Sequence, residues 1–132
     1  MAHPIMFDDA DPLLGRVRQI ALALPDATEV IAHGRPTFRC GKMFGNYGGS
    51  VKGGERRDHS ILFIPDESER QALVEDPRFF LPAYLGPYGW LGLALDGSTD
   101  WAEVAELLDA SFRQVAPKRS MARLPSPGAS TE

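Results

Sequence analysis

A single cysteine, Cys40, leaves no partner for an internal disulfide and no cysteine-based zinc site. The apolar runs are short and broken by Gly or Pro, so none has the length to span a membrane. Imidazoles are few: His3, His33 and His59 are the only three, and no carboxylates gather beside them at metal-ligand spacing. Gly48-Gly49 and Gly53-Gly54 lack the lysine–serine ending and following helix of a phosphate loop. Cys40, Ser60 and Ser111 have no motif neighbour that would activate a nucleophile. Asp96 and Asp100 read as a turn and a cap, without the signature of a calcium loop. There is no internal repeat. The net charge of −4 argues against a general polyanion binder. These absences predict a non-enzymatic protein with no catalytic residue, no metal and no cofactor.

What is present is the composition of a soluble globular chain: 132 residues, 43% hydrophobic and 24% charged. That length fits one domain with a real core. Residues 1–117 form the expected domain. Residues 118–132 have no periodicity and carry Pro125, Pro127 and Gly128, so a flexible tail is expected. With no secretory signal and one cysteine, a reducing cytoplasm is the expected location. Charge is unevenly spread. Residues 33–63 carry six bases and two acids (+4), whereas residues 64–112 carry ten acids and two bases (−8). A local basic patch is what phosphate contacts need, whatever the overall sign.

Asp11-Pro12 has the form of an N-cap followed by the first helical residue. Leu13, Leu14, Val17, Ile20, Ala21 and Leu24 then recur at helical spacing, and Pro25-Asp26 stops them. Thr28 to His33 predicts a short strand, and His59 to Ile64 and Trp90 to Leu95 predict central ones. Asp66 and Glu69 are spaced as a capping box for a helix burying Ala72, Leu73 and Val74. Asp100 caps a last helix whose stripe is Trp101, Val104, Ala105, Leu108, Phe112 and Val115; Pro117 closes it. The order predicts an α+β fold, an antiparallel sheet covered on one face by the first and last helices. The other face would be left for function.

Residues 32–47, AHGRPTFRCGKMFGNY, predict a β-hairpin. Phe38 and Cys40 alternate with Thr37 and Arg39, and Gly45-Asn46 is a turn dipeptide. Arg35, Arg39 and Lys42 would then face outward. The glycine-rich stretch 48–57 reads as a long mobile wing that adds Lys52, Arg56 and Arg57. The six form a candidate nucleic-acid-binding ridge; equally, they are solvated edge charges that discourage strand aggregation. Tyr84, Tyr88 and Trp90 crowd a Gly-Pro turn. Together with His33 they could ring a ligand pocket, or simply pack a corner.

Leu24-Pro25-Asp26, residues 33–39 (HGRPTFR), Gly41-Lys42-Met43-Phe44 and residues 84–92 (YLGPYGWLG), followed by a helix ending Val115-Ala116-Pro117-Lys118-Arg119, resemble as a set the MmcQ/YjbR family. The resemblance covers residues 12–119 in consistent order. It implies a CyaY-like (frataxin-like) sandwich with helices on one side of the sheet. It also implies DNA binding through a "double wing" of hairpins, with no enzyme activity, and it carries Arg35, Arg39 and Lys42 as phosphate contacts. In frataxin-like folds acids near the first helix bind iron; here Asp8, Asp9 and Asp11 are few, and capping explains them. The expected partner is DNA, with no membrane and a monomeric chain. The rival readings are a protein-interaction domain using the open sheet face and a small-ligand binder at the Tyr84–Trp90 corner.

Overall fold

The computed structural model describes residues 4–124. The first helix, α1 (Pro12–Ala21), starts where expected: the Asp11 carboxylate accepts from Leu13 N at 2.9 Å, with Pro12 at the first helical position. Six strands follow the order β1 (Thr28–Ala32), β2 (Arg35–Cys40), β3 (Lys42–Ser50), β4 (Arg56–Phe63), β5 (Phe79–Phe80) and β6 (Leu91–Ala94). They form one antiparallel sheet with spatial order β1-β2-β3-β4-β6-β5. Helix α2 (Arg70–Glu75) precedes β5, and α3 (Trp101–Val115) and α4 (Lys118–Met121) close the described chain.

The core lies between one sheet face and helices α1 and α3. Leu14, Val17 and Ala21 of α1 meet Phe38, Phe44, Ile61, Phe63, Leu91 and Leu93 of the sheet and Val104, Leu108 and Phe112 of α3. Each fully buried Val, Leu, Ile or Phe contributes about 1.5–3 kcal/mol relative to exposure. Phe44 stands edge-on to Phe112 at 5.4 Å between ring centroids. Where the β3–β4 pairing ends at Gly45 and Phe63, the Phe44 carbonyl meets a side chain of α3. Buried Ser111 donates to that carbonyl at 2.6 Å and accepts from Ile64 N at 2.9 Å. Ser111 thus fastens α3 to two strands, a structural duty for a residue with no catalytic neighbour.

Several expectations are corrected. The β2–β3 turn is at Gly41, and Gly45 and Asn46 lie inside β3. Gly45 faces α3 across the core: a Cβ at that position would meet Leu108 at 3.4 Å and Phe38 at 3.5 Å, ordinary van der Waals contact. Helix α2 buries none of its residues; Leu73 alone leans on the core, and Val74 is exposed. Asp66 bonds Ser68 in a turn instead of capping α2. The chain beyond 117 is ordered through 124. Ser120 is buried, and its hydroxyl donates to Asp26 at 2.7 Å, while Arg123 bonds the same carboxylate. Pro125, Pro127 and Gly128 lie outside the described residues.

The largest departure is at the far end of the β3–β4 hairpin. In sheet order β3 is separated from β5 by two strands, yet Val51 pairs with Pro82, Lys52 N donates to Leu81 O at 2.9 Å and Ala83 N to Ser50 O at 2.8 Å. The register slips between Tyr47 and Gly49, and Gly48 takes φ +82, a left-handed angle that favours glycine. The hairpin bends there and folds over the sheet face away from the helices. Gly49 lies so close to Leu62 that a Cβ would stand 2.8 Å from it. Leu62 is therefore buried, as are Ser60 and Thr37 on the same face. So the wing is a held hairpin end, not a mobile loop, and the face expected to be open is partly covered by the protein's own chain.

Candidate nucleic-acid interface

The six candidate cations divide into two groups by what the fold does with them. Arg35 does not face outward. It is only 7% exposed, and its side chain runs across Gly48 to reach Asp58 at 2.9 Å. A Cβ on residue 48 would stand 2.2 Å from Arg35 Nη1. That buried nitrogen finds no hydrogen-bond acceptor among the described residues. Arg56 holds the same Asp58 carboxylate at 2.9 Å. Burial pushes the Asp58 carboxyl up, but hydrogen bonds from Arg56 and Arg35 outweigh it and hold it below its ordinary value. Arg39 is half-buried and donates to Thr37 Oγ1 at 3.1 Å. Arg57 pairs with Glu55 at 3.1 Å and lies over the Phe80 ring at 5.5 Å. The expected single cationic ridge does not form: Arg35 is a buried structural cation, and Arg56 and Arg57 are ion-paired.

Lys42 and Lys52 are exposed and, among the described residues, in no ion pair. They stand at opposite ends of β3 and its turn, so they serve different surfaces. Lys42 follows the Gly41 turn, against which α4 brings Pro117. Lys52 crowns the turn made by Gly53 and Gly54, where Val51 N donates to Glu55 O at 2.7 Å.

The Tyr84, Tyr88, Trp90 and His33 pocket is also corrected. Trp90 is buried, and strand alternation with Leu91 places it on the face with Leu62 and Gly92. His33 is exposed beyond β1 with φ 54. Tyr84 and Tyr88 are 88% and 81% exposed. The four side chains do not converge. Instead Tyr84 joins Lys52: both line a groove of about 780 Å³ between residues 50–54 and 81–87, floored by Leu81, Pro82 and Pro87. The segment pairing that folds the hairpin over builds this groove.

A polar cluster not foreseen from the sequence lies near the start of α1. Asp11 Oδ2 accepts from Tyr47 Oη at 2.5 Å and contacts His59 Nδ1 at 3.0 Å. Asp11 and Tyr47 are buried, while the His59 side chain is 60% exposed. Burial pushes the Asp11 carboxyl up, but bonds from Tyr47 and Leu13 N and the His59 charge together hold it below its ordinary value. Burial, then the Asp11 bond, raises the Tyr47 hydroxyl far above its ordinary value. The cap of Asp11 and the strand position of His59 were readable separately; their meeting depends on tertiary packing. The cluster joins α1, β3 and β4 through one carboxylate. Among the described residues no three His, Cys, Asp or Glu are placed to share a metal ion.

The YjbR family model matches residues 22–114, well over half of the chain. The chain belongs to the YjbR family. The match spans β1 through nearly all of α3, so the folded-over hairpin and the groove lie inside the family region, whereas α1 and α4 lie outside it. No curated protein matches the chain. Among the described residues no helix is long and apolar enough to cross a membrane.

Proposed function

We propose that this YjbR-family protein is a non-enzymatic, cytoplasmic, monomeric DNA-binding module. Its contact surface is the folded-over end of the β3–β4 hairpin, not the β2–β3 end. The observation that carries this reading is Lys52: a cation in no ion pair among the described residues, at the tip of a turn, lining a groove it shares with an exposed aromatic ring. Arg56, which starts β4 at the same hairpin end, is more than half exposed, so its Asp58 pair is weakened by solvent and can be exchanged for phosphate. The YjbR resemblance supplies the expectation of DNA.

Titrating labelled DNA at about 50 and 200 mM salt tests it, since each neutralised phosphate releases counterions. Two phosphate contacts make affinity fall roughly tenfold over that range. Lys52→Ala with Arg56→Ala weakens binding, and Lys42→Ala leaves it unchanged. Absence of binding at low salt contradicts the reading. A second reading keeps one observation: β1 is an edge strand with Val30 and Ile31 exposed, a surface on which a protein partner can add a strand. A stoichiometric protein partner lost on Val30→Lys, with no DNA binding, favours that alternative.

A further inference from the structure

Resting on the DNA-binding reading, we infer that the groove between residues 50–54 and 81–87 takes a single strand, stacking a base on Tyr84 with Lys52 on the phosphate. The argument begins with exposure. Tyrosine has an apolar ring that normally gains by burial, yet two on one short connection are left 88% and 81% exposed. Trp90, on the same connection, is buried, so the segment can hide an aromatic ring and does not hide these two.

Backbone geometry points the same way. Tyr84 takes φ +67, which a non-glycine residue adopts at a cost that surrounding structure must offset. Here the offset is the pairing of the neighbouring Ala83 N to Ser50 O and of Gly86 N to Pro82 O at 2.9 Å. The result holds the Tyr84 ring at the mouth of the groove opposite the hairpin turn that carries Lys52. Tyr88, at the end of the single turn of 3-10 helix Gly86–Tyr88, lies outside the residues that line the groove.

Charge then separates single strand from duplex. A duplex presents a phosphate every ~1.7 Å and rewards a continuous cationic strip. At this end Arg57 is held by Glu55, which leaves Lys52 and the solvent-weakened Arg56 to meet phosphates. Such a surface neutralises few phosphates. An exposed ring beside Lys52 suits an unstacked base, whose π-face is available only in a single strand.

The experiment is fluorescence anisotropy with a labelled thymidine oligomer and, separately, a duplex of equal length, at low salt. The single strand is expected to bind about tenfold or more tightly than the duplex. Tyr84→Asn is expected to weaken single-strand binding about tenfold or more, within the range for losing a stacked base; asparagine is chosen because it accepts the positive φ. Tyr84→Phe keeps the ring and is expected to keep affinity. Equal affinity for both forms, or unchanged binding in Tyr84→Asn while Lys52→Ala still weakens it, overturns the stacking inference and leaves the DNA reading standing. Binding of neither form overturns both. Loss on Tyr84→Phe also overturns stacking, since the hydroxyl would then carry the contact.

Discussion

Arg35 and Lys52 are both cations of the basic segment, and the fold gives them opposite fates. At the root of the bent hairpin, Arg35 is buried over Gly48 and locked to Asp58. At its tip, Lys52 is exposed beside Tyr84. Charge was counted equally at the two positions, but only one has charge to offer a ligand. The difference teaches that a basic stretch must be divided by what each cation touches before it is read as a binding surface. A cation inside the fold is spent on its own carboxylate, and its loss is felt as stability.

Breaking the root should have the largest effect. Gly48→Ala forces a Cβ to 2.2 Å from Arg35 Nη1 at φ +82. It is expected to cost on the order of 3 kcal/mol, from the strained φ and the disturbed buried pair together. Thermal unfolding measures this; an unchanged Tm contradicts the packing described. Arg35→Ala removes the same partner more gently and is expected to cost about 2 kcal/mol, because Asp58 keeps Arg56. By contrast Lys52→Ala at the tip should stay within about 0.5 kcal/mol, as for other free surface positions. If the two substitutions cost the same, the division between root and tip fails.

Titration sharpens the comparison. Asp58 at the root and Asp11 beneath the hairpin both have folded values below their ordinary 3.8. Their contribution is therefore complete above that pH and is lost as pH falls through the lowered folded values. Tyr47 runs the other way: its folded value lies above the ordinary 10.0, so its contribution holds below pH 10 and is lost above it. Denaturant unfolding across pH should show a plateau between those limits. Tyr47→Phe should flatten the alkaline loss. A plateau edge that Tyr47→Phe does not move contradicts the Asp11 cluster. A smaller effect than at the root is expected at the C-terminal attachment: Ser120→Ala removes one bond to Asp26, worth about 1 kcal/mol, and is expected to leave the proposed DNA binding unchanged.

The α+β order, α1, α3 and their caps could be read from the sequence because each rests on neighbours within a turn or two: Asp11 with Leu13, Asp100 with Ala102 and Glu103. The β2–β3 turn is not legible locally because Gly45-Asn46 has turn composition, whereas both residues pair within β3 and the chain turns at Gly41. The candidate surface is legible in the sequence only by half. Lys52 belongs to the basic stretch and Tyr84 to the Gly-Pro corner, and the two are far apart along the chain. Nothing local says that Val51 pairs with Pro82. Arg35 was misjudged for the same reason, since its burial depends on Gly48 and Asp58 being brought over it by the bend.

The most direct test is to follow backbone amide NMR shifts as a short thymidine oligomer is added to the intact protein. The account predicts that shifts concentrate in residues 50–57 and 81–88, with Arg35, Arg39 and Lys42 quiet. Shifts centred on residues 35–43, with the folded-over tip silent, would contradict it.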